Sequence, residues 1–336
     1  MVKRVETLTW SFRPPQKERL EPTKKFNFEL PSQFSQILLD KAKRLLSENE
    51  DFLLITLVNY AYVNFTHNWL CNTANMTGVH ERTLIIGTDN STCQYLLKTF
   101  PNVSHLCLDF AENFDSALSW GQQSYVNFLT LRAVVMKQLL LNNISFVLFE
   151  TDAIWLRNPI HYFRNFSLNG NDVVVPLKGY PDKSLTLSFD PMLLRPTEAG
   201  KKFISRMTEL LLADSSLFDQ DVLDSLCKQQ YAGTACANFP WEEVSDGLWF
   251  KLSERERARL NPYIVNNNYY VGVDNKIARQ ALNGFWKRFE ESVAGSLCIR
   301  TNNIDFLRSM QASAAASPLS NELSEELEQS ATTKDV

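Results

Sequence analysis

No stretch of the 336-residue chain reaches about 18 consecutive apolar residues, so no transmembrane helix is expected. The opening "MVKRVETLTWSFRPP" lacks the apolar core of a secretory signal, so neither signal nor anchor is visible. No two cysteines have C-x-x-C spacing, which argues against a zinc site. No G-x-G-x-x-G follows the first predicted strand and no G-x-x-x-x-G-K-[ST] occurs anywhere. Dinucleotide-binding Rossmann and P-loop readings therefore lose their main support. Charge of one sign is also scarce. The formal net charge is −4, and the acids of the last stretch (Glu322, Glu325, Glu326, Glu328 and Asp335 against Lys334) account for it. The body is near neutral, so nothing points to nucleic acid or an anionic membrane as partner.

What is present is a sizeable apolar fraction, 44%, with 12% aromatics, enough for a globular core. Six cysteines (Cys71, Cys93, Cys107, Cys227, Cys236, Cys298) serve either as disulfides of unknown pairing or as buried free thiols. Six N-x-S/T sequons begin at Asn64, Asn75, Asn90, Asn102, Asn143 and Asn165, all in the first half.

Residues 1–25 read as a polar, Pro-rich arm, 26–308 as one domain, and 309–336 as an acidic, Ala/Ser/Glu-rich disordered tail. Helical spacing from Phe34 to Leu46 predicts a helix. "DFLLITLVNYAYVNF" predicts a buried strand and a loop, "RTLIIGTDNST" a strand ending in a turn at Asp89 and Asn90, and "VSHLCLDF" a third strand. A long helix over about 121–142 leads into the strand "SFVLFE". In the second half "NDVVVPLKG" predicts a strand and "SLTLSFDPMLLRP" a strand or hairpin element. Helices follow, one capped by Thr197 and one after the acidic turn at Asp219; Lys276 lies in a polar loop ahead of a short late helix. Alternating strands and helices with continuous apolar strands predict an α/β fold. Its sheet would be mixed and mostly parallel, with helices on both faces. Ligands bind such sheets beyond the carboxyl ends of the strands. The polar clusters at Asn59, at Asp89, and at Glu150 and Asp152 all fall there.

Glu150 and Asp152 are two residues apart, and in extended chain they share a face. Two adjacent carboxylates need a cation between them. Arg132 or Arg157 would serve, and so would Mg²⁺ or Mn²⁺, which take hard oxygen ligands and leave positions open for phosphate oxygens. Competing structural readings stand beside the functional ones. Trp155 and Trp286 fit a core, Asp219 fits a helix cap, Lys276 a solvated charge, and Asn59 a strand-end partner for backbone groups.

Several blocks resemble one family in order and spacing. "LFETDAIWLRNP" is similar to the D-x-D-x-x-W block, ending in Pro, of the nucleotide-diphospho-sugar transferases of glycosyltransferase family 77. "ITLVNYAYVNFTHNWLC" resembles the family's first strand and Asn-Trp segment, and "YVNFLTLRAVVMKQLL" its helix ahead of the acids. "FDQDVL" resembles its Asp-Gln segment, and "NNNYYVGVDNKIARQALNGFW" its late block. The resemblance implies a GT-A-like, Rossmann-type fold. It implies a metal-dependent, retaining transfer from a nucleotide-diphosphate sugar, with UDP the expected nucleotide, to a hydroxyl of a glycan or glycoprotein. It also implies the Golgi or secretory-pathway lumen.

Carried over by residue, Asp152 would ligate Mn²⁺ or Mg²⁺, and Glu150 would reach the metal through water or hold the ribose. Asp219 and Gln220 would lie by the sugar and acceptor, with Asp219 ordering the acceptor. Lys276 would reach the diphosphate, and Gly272 would allow close backbone approach. Thr56 and Asn59 would line the nucleotide pocket, and Arg132 would face the phosphates or steady the acids. Two departures stand out. Glu150 replaces the usual Asp. Asn266, a neutral and weaker donor, stands where a late His is expected; the four histidines (His67, His80, His105, His161) all lie elsewhere. These departures keep open a second reading, a catalytically silent nucleotide- or glycan-binding protein on the same fold. A nucleotidyltransferase on a similar sheet is weaker still, because no Gly-rich nucleotide loop is present.

Overall fold

The apolar runs form strands and the periodic segments form the helices that cover them. The computed structural model describes residues 28–300, apart from 50, 109–113, 115, 119–121, 179–185, 270–271 and 293–294. The expected arm and acidic tail lie outside the described residues. The first half runs α1 (Ser32–Asn49), β1 (Leu53–Val58), α2 (Val63–Thr73), β2 (Thr83–Gly87), α3 (Asn90–Thr99), β3 (Ser104–Cys107), α4 (Gln123–Leu141) and β4 (Phe146–Leu148). Then come β5 (Ile154–Trp155), α5 (Ile160–Leu168), β6 (Val173–Lys178), β7 (Thr186–Leu187), β8 (Met192–Leu194), α6 (Glu198–Ala213) and α7 (Asp219–Lys228). The chain continues through β9 (Cys236–Phe239), β10 (Val244–Ser245), α8 (Glu254–Leu260), β11 (Ile264–Val265), α9 (Val273–Leu282) and the hairpin β12 (Lys287–Ser292) with β13 (Gly295–Arg300).

The main sheet has the order β3-β2-β1-β4-β8-β6-β7, and β9 adds to β6. β1 through β4 are mutually parallel, whereas β8 runs antiparallel between β4 and β6. The expected mixed, mostly parallel α/β sheet is therefore present. Alternation along each strand feeds two cores. Leu53, Ile55, Leu84, Ile86, Phe146 and Leu148 pack under α1, α4, α6 and α7. Leu54, Ile85, Val147 and Phe149 face the other side, with Trp69 of α2, Trp155 and Phe163 of α5. Trp155 is thus a core residue, edge-on to Trp69 at 5.2 Å, and Trp286 is edge-on to Phe65 at 5.5 Å.

Local signals set several boundaries. Asp89 caps α3, accepting from the Thr92 amide at 2.8 Å, and Thr197 caps α6 by accepting from the Gly200 amide at 3.0 Å. A Cβ on Gly200 would lie 2.3 Å from the Arg195 carbonyl oxygen, so only glycine fits that first turn. Two expectations are corrected. The segment after β1 is a helix rather than a loop, and the turn at Asp89–Asn90 continues directly into α3. The free-thiol reading also fails. Disulfides join Cys71 to Cys298, Cys93 to Cys107 and Cys227 to Cys236, with Cα–Cα distances of 5.5, 5.7 and 5.7 Å. The first ties the late hairpin back to α2.

Burial of α2 has a pH signature. His67 is buried in α2 and meets the Tyr95 hydroxyl through Nδ1, and burial pushes its imidazolium down to about 4. The unfolded chain, with a pKa near ~6.5, binds that proton first. Stability is therefore intact above pH ~6.5 and is lost as pH falls through about 4. Thermal melts across that window should show the loss, and His67→Gln should flatten it.

Candidate active site

Strand register, rather than local sequence, assembles the site. β4 ends at Leu148 and delivers Glu150, Thr151 and Asp152 into a turn closed by the Ala153 amide on the Glu150 carbonyl at 3.2 Å. The expectation that Glu150 and Asp152 share one face of an extended strand is thereby corrected. The turn separates the two carboxylates, and each meets its own cation. Glu150 accepts from Arg132 of α4 at 2.7 Å. Asp152 pairs with Nζ of Lys276. Between them Thr151 meets the Thr66 hydroxyl of α2 at 3.1 Å.

Two more oxygen-bearing residues reach the turn by antiparallel pairing. Leu148 of β4 pairs with Met192 of β8, which sets Asp190 opposite Glu150; the Glu150 amide donates to the Asp190 carboxylate at 2.7 Å. Val265 of β11 pairs with Ile154 of β5, which brings Asn266 back beside the turn. Asn266 donates its amide N–H to the Asp190 carbonyl, while its Oδ1 is buried with no hydrogen-bond partner among the described residues. Arg279 of α9 holds the neighbouring Asn267 side chain and the Asn268 carbonyl. The Gly247 amide donates to Asn268 Oδ1 at 2.6 Å, and a Cβ on Gly247 would lie 2.3 Å from the Asn268 carbonyl oxygen. Gly247→Ala should therefore displace this segment and cost about 1–3 kcal/mol, read as a lowered melting temperature.

On the α4 side Arg132 also pairs with Asp219 at the first turn of α7, and its guanidinium lies 4.2 Å over the Phe189 ring. Asp219 is not the helix cap. Phe218 holds that position, and the Asp219 carboxylate is taken by Arg132 and the Gln220 amide. Arg157, the other cation considered for the acids, pairs with Glu243 instead and stacks on Tyr263.

An open cleft of about 680 Å³, counting space continuous with solvent, lies over the carboxyl ends of β1 and β4. Leu57, Asn59, Tyr62, Tyr125, Phe128, Arg132, Glu150, Thr151 and Lys276 are among its walls. Thr56 is buried one position earlier on β1 and does not line the cleft, because alternation turns Leu57 toward it. Gly272 is exposed at the start of α9 with φ +94°, and Gln220 is half-buried on α7; neither lines the cleft. Lys276 lies on α9 and is largely buried, not a solvated loop charge.

The electrostatics leave the cluster short of positive charge. Burial would raise the Glu150 carboxyl, yet Arg132 and Lys276 hold it below the usual carboxylate range. Burial lifts Asp152 above that range against the pull of Lys276. Burial, reinforced by Glu150 and Asp152, lifts Asp190 well above it. Burial also lifts Asp219, although Arg132 pulls the other way. For Arg132 and Lys276, burial opposes the charge, but the surrounding acids raise both above their ordinary values. Glu150, Asp152, Asp190 and the orphaned Asn266 amide oxygen are hard-oxygen donors with no His or Cys among them, the donor type that Mg²⁺ or Mn²⁺ takes. The three carboxylates are not gathered into one seat: among the described residues the cluster of three such groups within 4.8 Å of one another is His67, Cys71 and Cys298, two of which are joined in a disulfide.

Sequence reasoning missed Asp190, Tyr62, Tyr125 and Gln280, whose side-chain amide donates to the Asp152 carbonyl at 2.6 Å. The only signal for Asp190 was an acid inside the otherwise apolar run "LTLSFDPMLL". The pairing that puts it beside Glu150 spans 40 residues.

The sheet and cleft describe an α/β protein with a polar cleft over the carboxyl ends of its parallel strands. A family model for nucleotide-diphospho-sugar transferases matches residues 78–280, more than half of the chain. The chain belongs to that family. It is 23% identical over 296 residues to the UDP-D-xylose:L-fucose alpha-1,3-D-xylosyltransferase MGP4 of Arabidopsis thaliana, covering 81% of this chain and 78% of that protein. It is 20% identical over 293 residues to the arabinosyltransferase XEG113 of the same plant, covering 78% of this chain but only 42% of that protein. Among solved structures, mouse xyloside xylosyltransferase 1 in its apo form is 12% identical over 65% of this chain and 98% of that one, with a TM-score of 0.43.

Proposed function

We propose that the chain transfers a sugar from a UDP-linked donor to a hydroxyl of a glycan or glycoprotein, with retention at the anomeric carbon and with Mn²⁺ or Mg²⁺ as cofactor. One observation carries this reading: Asp152, Asp190 and the orphaned Asn266 oxygen are set around the same turn as Glu150, and Glu150 lines a cleft over the carboxyl end of the sheet. Asp152, Glu150 and Asn266 would hold the cation, with Asp190 beside them. When bound, the cation would neutralise the diphosphate as it leaves.

The chain's own groups supply the rest. Lys276, released from Asp152 once a cation takes that carboxylate, would turn to the diphosphate. The Nε of Arg132 is buried without a hydrogen-bond partner among the described residues, and it would meet a donor oxygen only if the site opened to admit one. Asn59, Tyr62 and Leu57 would wall the nucleotide. Asp219 would order the acceptor hydroxyl, with Gln220 beside it. The names of the relatives support testing UDP-pentoses first. Three disulfides support life in an oxidising compartment, consistent with the Golgi or another secretory lumen.

Hydrolysis and transfer should be measured with UDP-xylose, UDP-arabinose and UDP-hexoses, with Mn²⁺ and with chelator. Cation-dependent UDP release is the expected outcome. A specific observation favours the silent-binder alternative: Asn266 is neutral where the family resemblance leads one to expect His, and both acids already hold protein cations. Titration calorimetry separates the two. UDP affinity that rises with Mn²⁺ supports the enzyme, and metal-independent binding without turnover supports the silent protein.

A further inference from the structure

The six sequons divide into two groups once their third residues are placed. All six asparagines are exposed. In three sequons the hydroxyl residue is buried and already bonded within the fold. Thr66, after Asn64, donates to the Tyr62 carbonyl at 3.1 Å and meets Thr151. Thr92, after Asn90, donates to Asp89 at 2.7 Å and completes the α3 cap. Ser145, after Asn143, donates to the Leu194 carbonyl at 3.2 Å, and Asn143 itself sits at φ 61°, where asparagine is favoured. Folding accounts for these residues without any modification.

The other three sequons have no such explanation. Thr77 is exposed, Ser104 and Ser167 are half-buried, and none of these hydroxyls makes a hydrogen bond among the described residues. Their middle residues share a property: Met76, Val103 and Phe166 all pack into the core shared by Trp69 and Phe163. Each anchors its tripeptide while the asparagine before it faces solvent. Asn75 lies between α2 and β2, and Asn102 between α3 and β3. Both are on connections that enter the amino ends of parallel strands, opposite the cleft. Asn165 projects from α5 over the same core.

We propose that Asn75, Asn102 and Asn165 carry N-linked glycans. They would form a solvated sugar layer over the α2–α5 side of the molecule while the donor cleft stays open. Such a layer is bulky and solubilising, and it requires surface positions with free space around the side-chain amide. The proposal rests on the secretory part of the reading above and not on its catalytic part.

The test is site-resolved mass spectrometry of the full chain purified from its own cells, before and after peptide-N-glycosidase A, which converts each occupied Asn to Asp. Conversion at all three positions is expected. Single variants Asn75→Gln, Asn102→Gln and Asn165→Gln should each remove one glycan. Unconverted asparagine at these positions in the native protein overturns the proposal. In a second arm the chain is driven into the secretory pathway of insect cells behind a cleavable leader. Empty sites there also overturn it, by showing that the sequons themselves are not accepted. A UDP-sugar assay on the same material reports the catalytic reading separately, because these asparagines lie outside the cleft.

Discussion

Asp152→Asn should abolish cation-dependent turnover of the donor, a loss on the order of 10³-fold, while the protein still folds. Asp152 is almost wholly buried, with 3% of its side chain exposed, and it is the only carboxylate in the turn without a guanidinium partner. On the proposed reading it is the direct ligand. Outer partners of a metal already cost ~10–100-fold in affinity when removed, and a direct ligand costs more. The substitution keeps the shape of the residue but exchanges one acceptor oxygen for a donor amide and leaves Lys276 without its counter-charge. Some stability is therefore lost as well, and melting curves must accompany the assay. Two controls separate the effects. Lys276→Met removes the cation from the same pair and should weaken donor binding without removing the metal response. Glu150→Asp restores the acid common in the family and should change turnover by less than about tenfold, because Glu150 is held by Arg132 in either form. Wild-type activity in a folded Asp152→Asn protein would sink the assignment of the site.

Much of the sheet was legible because buried parallel strands are continuous apolar runs bounded by polar turns. β1, β2, β3, β4 and β6 all fall within segments read that way. The acids after β4 were legible for the same reason, since a carboxylate pair at the end of such a run needs a partner. α2 was not legible. Val63, Phe65, Thr66, His67, Asn68, Trp69, Leu70, Cys71 and Thr73 are all buried, so the helix has no polar face and no amphipathic period. Its asparagines, threonines and β-branched residues are also poor helix formers, and packing overrides that propensity. Lys276 was placed in a loop because the helix begins immediately after a glycine with positive φ. Asp190 escaped for a different reason. Its place beside Glu150 depends on which strand enters antiparallel, β8 beside β4, in a sheet read only as mixed and mostly parallel. No local pattern encodes that register. The disulfide from Cys71 to Cys298 is equally non-local, spanning 227 residues.

Arg132→Met should cost about 3–5 kcal/mol of stability, the usual consequence of removing one partner from a buried ion pair. Arg132 is the hinge between the two halves of the site. One guanidinium nitrogen holds Glu150, another holds Asp219, and the group lies over Phe189. The two acids will not suffer equally. The Glu150 side chain is 43% exposed and can turn to water, whereas that of Asp219 is 5% exposed and cannot. Most of the cost therefore falls on Asp219, left buried without a cation. The double variant Arg132→Met with Asp219→Asn should recover more than half of the lost stability in urea unfolding, because a neutral amide tolerates that site. It should not recover transfer, since the double variant lacks both the clamp on Glu150 and the carboxylate offered to the acceptor. The opposite pattern, a single variant of near-normal stability with donor affinity alone reduced, would make Arg132 a phosphate-binding residue rather than the strut of the acids. Both roles follow from the same buried guanidinium, and only the ratio of stability loss to affinity loss distinguishes them.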